Sequence, residues 1–326
     1  MSAPPAAAVG LDIGGTKMCA VAVTAAGTVL ASREVPTPAS QGPDAILDAG
    51  AALVRGVVGM VAAISGTTGP VRRLGVGTAG VVDRRTGTIV AATSALPGWA
   101  GTAVRAELAH RLGGIPVTLV NDVHAVALAE GLWGAAAGAR GYLTVTVGTG
   151  VGGAVVVDGS VVVGRRHLAG HVGHVSVPEA VGEPCPCGRS GHLEAVASGP
   201  AMVAAYRGLG GQARTGHDLA RAVARGDDRA RQVVRHAGAA LGTALGSLAA
   251  ALDPEVVVVG GGALDIGDDL LDAARASLAV SALPGLAGLP VLRATVRDAG
   301  AVGAASLVLE PAGSSSGHAT GVPCSA

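Results

Sequence analysis

Phenylalanine is missing from the chain, and aromatic residues make up only 1% of its 326 positions, as two tryptophans and two tyrosines. Stacking platforms of the kind that hold single-stranded nucleic acid are therefore excluded, and the core must be built from Val, Leu, Ile and Ala. Charge is scarce as well: charged residues are 14% of the chain, and 23 basic residues balance 23 acidic ones. A net charge of zero provides no field to draw in DNA or an anionic lipid surface. Lysine occurs once, as Lys17, and arginine supplies every other full positive charge. Of the four cysteines, Cys185 and Cys187 lie together while Cys19 and Cys324 are isolated. That spacing argues against a disulfide framework and for an intracellular setting with one metal site.

Targeting signals are also lacking. The N-terminus, M-S-A-P-P-A-A-A-V-G, has neither a basic region nor a clear apolar segment, which excludes a signal peptide. The long uncharged stretch at 141–157 is broken by Gly and Thr and predicts two strands rather than a membrane helix. A cytoplasmic protein without membrane or nucleic-acid partners is expected. The hydrophobic content, 49%, is that of a globular protein, and the length suits two lobes better than one core.

Strand-like runs at 8–13, 18–24 and 29–33 predict an opening β-meander. Apolar residues at Ile46, Leu47, Val54, Val57, Val58 and Val61 follow helical spacing over 43–63. Strands at 74–77 and 88–91, a helix at about 102–112 and a buried strand at 117–120 lead to Asn121-Asp122. A second cycle begins with a strand at 142–147, a glycine turn at 148–153 and strands at 154–157 and 161–163 paired around Asp158-Gly159. An irregular His/Cys segment covers 167–192, and helices fill much of 193–251. A buried strand at 256–259, a helix, a strand at 291–295 and a helix at 299–309 complete the order. Two lobes with the same opening predict a duplicated α/β architecture.

Three glycine turns carry chemistry. D-I-G-G-T-K at 12–17 follows a strand. Glycines let backbone N–H groups approach phosphate oxygens, the Thr hydroxyl adds a donor, and Asp12 is placed to orient hydrated Mg²⁺. G-T-G-V-G-G at 148–153 matches the dinucleotide fingerprint in its letters. A hairpin follows it where that fold needs a helix, so a second phosphate cradle is the better reading. V-V-V-V-G-G-G at 256–262 is a third strand-to-glycine turn. Asn121-Asp122 at a strand end can supply a base to a cleft, or equally a helix cap. His174, Cys185, Cys187 and His192 form a zinc-type donor set, and four protein ligands would make the metal structural. His167 and His171 are alternative fourth ligands.

These motifs, with A-L-P-G-W at 95–99 and A-G-H-V-G-H…C-P-C-G-R-S-G-H-L-E at 169–194, occur in an order that resembles the ROK (repressor, open reading frame, kinase) sugar kinases. The resemblance covers about 9–309. It implies an α/β, two-lobed, actin-like or hexokinase-like ATPase fold with a zinc-binding loop in the second lobe. The N-terminal lobe would be 1–120, joined by the C-terminal helix at 297–310. The second lobe would be 121–296, with its zinc loop at 167–194, and 311–326 a flexible tail.

The resemblance also implies ATP, Mg²⁺ and structural Zn²⁺ as cofactors, and a homodimer or homotetramer. Asp122 would be the general base. Gly80, Asn121, Asp122, His171, His174 and Glu194 would bind the sugar. Asp12, Gly14, Gly15, Thr16, Lys17, Gly148, Thr149, Gly150, Gly152, Gly260, Gly261 and Gly262 would bind ATP. Two departures from the family pattern stand out. The Asn common before L-P-G-W is Ala95, so a sugar contact from that position would be missing or supplied by Thr93 or Ser94. The Glu of the glucokinase-like E-x-G-H pattern is His171, which resembles bacterial N-acetylmannosamine kinases, as does R-E-V-P-T-P-A-S-Q at 33–41. The expected reaction is ATP-dependent phosphorylation of the N-acetylmannosamine 6-hydroxyl, with a glucokinase or a non-catalytic sugar sensor as alternatives. Repressors of the family carry a DNA-binding helical domain ahead of the core, and the roughly nine residues before the first strand leave no room for one.

Overall fold

A computed structural model of the chain describes residues 7–65, 72–93 and 95–309. Ser94, Cys324 and the expected tail at 311–326 lie outside the described residues. The first sheet begins with an antiparallel meander of β1 (Ala7–Ile13), β2 (Lys17–Thr24) and β3 (Val29–Pro36). After α1 (Pro43–Ser65), β4 (Leu74–Thr78) pairs in parallel with β1. A small hairpin of β5 (Val81–Asp83) and β6 (Thr88–Ala91) and the helix α2 (Val104–Arg111) precede β7 (Val117–Asn121), which pairs in parallel with β4. The order is β3-β2-β1-β4-β7. β4 is sealed along its whole length, as expected of a strand covered on both faces.

The helix α3 (Asp122–Trp133) leads to the second sheet, whose meander is β8 (Tyr142–Val147), β9 (Val151–Val157) and β10 (Ser160–Val161). The His/Cys segment and four helices follow: α4 (Glu194–Ala197), α5 (Gly199–Gly208), α6 (Gly216–Ala224) and α7 (Asp228–Leu252). Then β11 (Val256–Gly260) pairs in parallel with β8; after α8 (Asp269–Ser281), β12 (Val291–Arg293) pairs in parallel with β11. The order β10-β9-β8-β11-β12 repeats that of the first sheet strand for strand. The final helix, α9 (Ala299–Ser306), returns to the first sheet. There Gly10 and Gly75 leave room for the backbone at Ala301 and Ala304.

Two details depart from the sequence expectation. The second glycine turn spans only 148–150, because Val147 already pairs with Val151. Gly152 and Gly153 sit within β9, where a Cβ at Gly152 would lie 2.6 Å from Val123 and one at Gly153 would collide with Val172. These glycines serve close packing rather than a turn. The strand β5 was not expected; three residues are too short for a periodic signal.

Among the described residues, Pro43–Ile64 is the one helix long and apolar enough to cross a membrane, with mean hydropathy 1.7. In the fold it lies on β2 and β3 and seals Ile46, Leu47, Val54 and Val57 into the first core, which gives its apolar face a protein partner.

Candidate active site

Parallel strands place their C-terminal ends along one edge of a sheet, where open α/β folds bind ligands. Asp12 lies near that end of β1, Thr78 ends β4 and Asn121 ends β7, with Thr78 opposite Asn121 in the ladder. Asn121 caps α3, its side-chain oxygen accepting from the backbone N–H groups of Val123 at 3.0 Å and His124 at 3.3 Å. Its amide donates to the Gly80 carbonyl at 3.0 Å, which ties the 78–81 loop to the helix start. Because Asn121 takes the capping role, Asp122 is left in the first turn with its own carboxylate accepting from Val123 N–H, at 2.9 Å. Burial pushes the Asp122 carboxyl above its ordinary value, against the lowering effect of that hydrogen bond.

Asp12 has a sealed Oδ1 without a partner. Burial, then the charge of Asp122, raise its carboxyl to about 7, with Lys17 pulling the other way. The D-I-G-G-T-K turn is closed by Gly14 N–H donating to the Lys17 carbonyl at 3.0 Å, and by the Thr37 hydroxyl donating to the Gly14 carbonyl at 2.7 Å. Thr16 is exposed at the tip of this turn. Lys17 is held by Glu34 across the hairpin at 2.6 Å, both side chains half-exposed. Ala95 stands directly over this turn, 3.0 Å from where a Cβ of Gly15 would be. The A-L-P-G-W loop is anchored by the buried Trp99, whose indole N–H donates to Thr78 Oγ1 at 3.1 Å.

The second sheet meets this edge at the start of α3, through the contact of Gly152 with Val123. The turn Gly148-Thr149-Gly150 is closed by Gly148 N–H donating to Gly150 O at 2.8 Å, and Gly148 O accepts from Gly199 N–H at 2.8 Å. Gly261, in the third glycine turn between Gly260 and Gly262, packs against the Val147 backbone. Second and third turns thus adjoin. Glu194, at the start of α4, accepts from Val151 N–H at 2.8 Å, and its Oε2 lies 2.6 Å from a Cβ position at Gly150. The residue that ends the His/Cys segment therefore touches a glycine turn.

The His/Cys segment covers β9. A Cβ at Gly173 would collide with the Val151 carbonyl, which brings His171 and His174 to the same edge. Their rings stack with centroids 6.2 Å apart. Burial and the neighbouring His174 lower the His171 pKa, which favours neutral imidazole. Donor atoms of His174, Cys185, Cys187 and His192 all lie within 4.8 Å of one another. Cys187 Sγ is 3.2 Å from His192 Nδ1, and Cys185 Sγ is 3.7 Å from His174 Nδ1. Ligand atoms around tetrahedral zinc stand about 3.3–3.8 Å apart, so a small contraction would make this set fit. His167 is turned away to Asp83, at 3.8 Å, and is not in the cluster.

Several residues at this edge were missed in the sequence. Asp298, in left-handed conformation ahead of α9, accepts from the Ser32 hydroxyl at 3.0 Å and adds to the negative field on Asp12. Gly300 abuts the Asp12 carboxylate, 2.6 Å from its Oδ2 at the Cβ position. Buried His124 has a sealed Nδ1 without a partner, and burial followed by the charge of Arg84 lowers its pKa to about 4. An Asp ahead of the Ala/Gly-rich run 299–305, and a His inside an apolar helix, are the only sequence signals for them.

Two five-stranded sheets of repeated order, each with glycine turns at its strand ends, define an α/β fold of hexokinase-like type. The ROK family profile matches residues 8–311. A glucokinase of Halalkalibacterium halodurans is 34% identical over 92% of this chain and 94% of its own length. An N-acetylmannosamine kinase of Escherichia coli O139:H28 is 34% identical over 91% and 96%. The ROK family glucokinase of Streptomyces griseus, solved in complex with glucose and AMPPNP, superposes with a TM-score of 0.77 at 31% identity, covering 93% of this chain and 99% of that one. The chain belongs to the ROK family and is a sugar kinase.

Proposed function

We propose that the chain transfers the γ-phosphoryl group of ATP to the 6-hydroxyl of N-acetylmannosamine, with Asp122 as general base. The observation that carries this reading is the Asp122 carboxylate. It lies half-buried in the first turn of α3, relieved of capping by Asn121 and near enough to Asp12 to raise that carboxyl, while the next residue, Val123, packs against Gly152 just beyond the turn at 148–150. A carboxyl raised by burial accepts a proton more readily than a solvated one, as a base for an alcohol requires. The sugar would lie against Gly80, Asn121, Asp122, His171, His174 and Glu194. The phosphates would lie on the turns at 14–17, 148–150 and 260–262, with Mg²⁺, oriented by Asp12, neutralising charge on the transferred group. The two sheets support a division into lobes at 1–120 with 297–310, and 121–296.

Zinc held by His174, Cys185, Cys187 and His192 would be structural, since four protein ligands leave no open position. Burial raises the Cys185 thiol, and a bound metal would hold it as thiolate. The zinc loop then fixes His174 and Glu194 toward the sugar. A cytoplasmic location fits substrates of this kind.

Glucose is the second reading, because the relatives include a glucokinase at the same identity as the N-acetylmannosamine kinase. His171 favours the amino sugar: a neutral imidazole both donates and accepts, whereas a carboxylate only accepts. ADP release should be measured against a panel of hexoses and N-acetylhexosamines. N-acetylmannosamine should give the highest kcat/KM. Asp122→Asn should lower kcat by roughly 10²–10⁴-fold while sugar binding survives. Glucose as the best substrate rejects the amino sugar and leaves the kinase reading standing. Near-native activity of D122N rejects the base, and ATP turnover indifferent to added sugar rejects the kinase reading itself.

A further inference from the structure

The chain crosses between the two sheets twice. It leaves the first sheet along α3 and reaches β8 through residues 134–141, and it returns from β12 to α9 through residues 294–298. Both crossings meet at one side chain. Glu130, in the last turn of α3, is completely buried. Its Oε1 accepts from the backbone N–H groups of Thr295 at 2.9 Å and Val296 at 2.8 Å, on the returning crossing. Its Oε2 accepts from Ala135 N–H at 2.8 Å, on the outgoing crossing, and from the Thr295 hydroxyl at 3.4 Å. Gly134 is pressed against this carboxylate, so a Cβ there would collide with Oε2.

Every one of these partners is a donor, and only a carboxylate accepts all of them at once. A helix needs no such residue for its own sake, since the stretch from Ala125 to Trp133 is otherwise apolar apart from glycine. Burying a carboxylate is unfavourable unless its oxygens are filled. The returning crossing supplies three of the four donors. Separating the crossings would therefore leave a buried charge unpaired, so the two move as one body.

We propose that Glu130 is a positioning residue for phosphoryl transfer. It locks both inter-sheet crossings to a single point. Through that lock it sets how Asp12 and Asp122, on the first sheet and α3, face the glycine turns of the second sheet. The proposal rests on the kinase reading of the cleft. In-line transfer depends on sub-ångström placement of donor and acceptor, whereas each substrate's binding is spread over many contacts. Loosening the lock therefore lowers kcat more than it weakens binding.

Glu130→Gln keeps the shape but puts an NH₂ group where an acceptor is needed. Gly134→Ala leaves Glu130 in place and pushes on its carboxylate. Both variants should lose about tenfold or more in kcat while the sugar Kd, measured by titration without nucleotide, stays within about threefold. Amide exchange at Ala135, Thr295 and Val296 should quicken about tenfold or more, while amides in β1 and β8 keep their native rates. Should E130Q fail to fold, G134A alone decides. A kcat within twofold of wild type in the folded variants overturns the proposal. So does exchange that quickens equally in β1 and β8, which would mark Glu130 as a general stability residue. If the unmutated protein shows no sugar-dependent ADP release, the kinase reading has failed and the positioning role goes with it; the exchange pattern would then report only the lock.

Discussion

Asp12 illustrates how a site can be read from a group that is poorly satisfied. Its Oδ1 is sealed without a partner, and burial beside Asp122 lifts its carboxyl from 3.8 to about 7. In the unfolded chain the same group ionises near its ordinary value. As pH rises from about 4 to about 7 the unfolded state sheds its proton first, and the folded state loses stability across that window, with the full loss present above about pH 7. Asp12→Asn carries no charge to bury. Without Mg²⁺ or nucleotide it should melt above wild type, by a small margin at pH 5 and the largest at pH 8, with turnover abolished or nearly so. A margin independent of pH would mean the carboxylate has a compensating partner in solution. His171 is the second informative residue. His171→Glu restores the glucokinase-like pattern and should move the kcat/KM ratio toward glucose by at least about tenfold, which requires only about 1.4 kcal/mol of differential transition-state binding. An unmoved ratio would reduce His171 to a loop residue.

At the scale of elements, the His/Cys segment is the clearest case of irregular chain held for a purpose. It has short 3-10 turns at Val172–His174 and Pro178–Ala180, and only isolated bridges join its parts. The donor cluster lies between those turns and α4, whose first residue, Glu194, bonds to Val151 N–H. A metal there would add a cross-link to a segment whose Val172, Val177, Ala180 and Leu193 are already sealed into the core beside the second sheet. The purified protein should contain about one zinc per chain. Cys185→Ser combined with Cys187→Ser should release it, lower the melting temperature and weaken sugar binding. Metal-free protein with full activity would count against the structural role. The long helices show a different physical solution. In α7, Gly238 and Gly242 sit one turn apart against the α8 backbone at Leu270 and Ala274. With few aromatics available to fill gaps, the chain closes its helix pairs by bringing backbones together rather than by inserting large side chains.

For the whole molecule, the two sheets repeat one topology although no tandem repeat is visible in the residues. Element order survives because it depends on the alternation of apolar runs with glycine turns, and that pattern is local. The same locality made much of the candidate site legible: Asp12, the three glycine turns, Asn121-Asp122 and the His/Cys segment are each contiguous or nearly so. The sequence alone determined the α/β element order, the positions of the glycine turns and the grouping of the His/Cys donors, because each is a short-range matter of residue type and spacing. Only the tertiary structure decided which of Asn121 and Asp122 caps α3, where the second turn ends, and that Ala95 stands over Gly15. It alone brought Asp298 and Gly300 beneath Asp12, and joined Glu130 to Thr295 and Val296, 165 and 166 residues away. Such contacts leave almost no mark in the chain, because a carboxylate that meets its partners only after folding looks, in sequence, like any other acid on a helix.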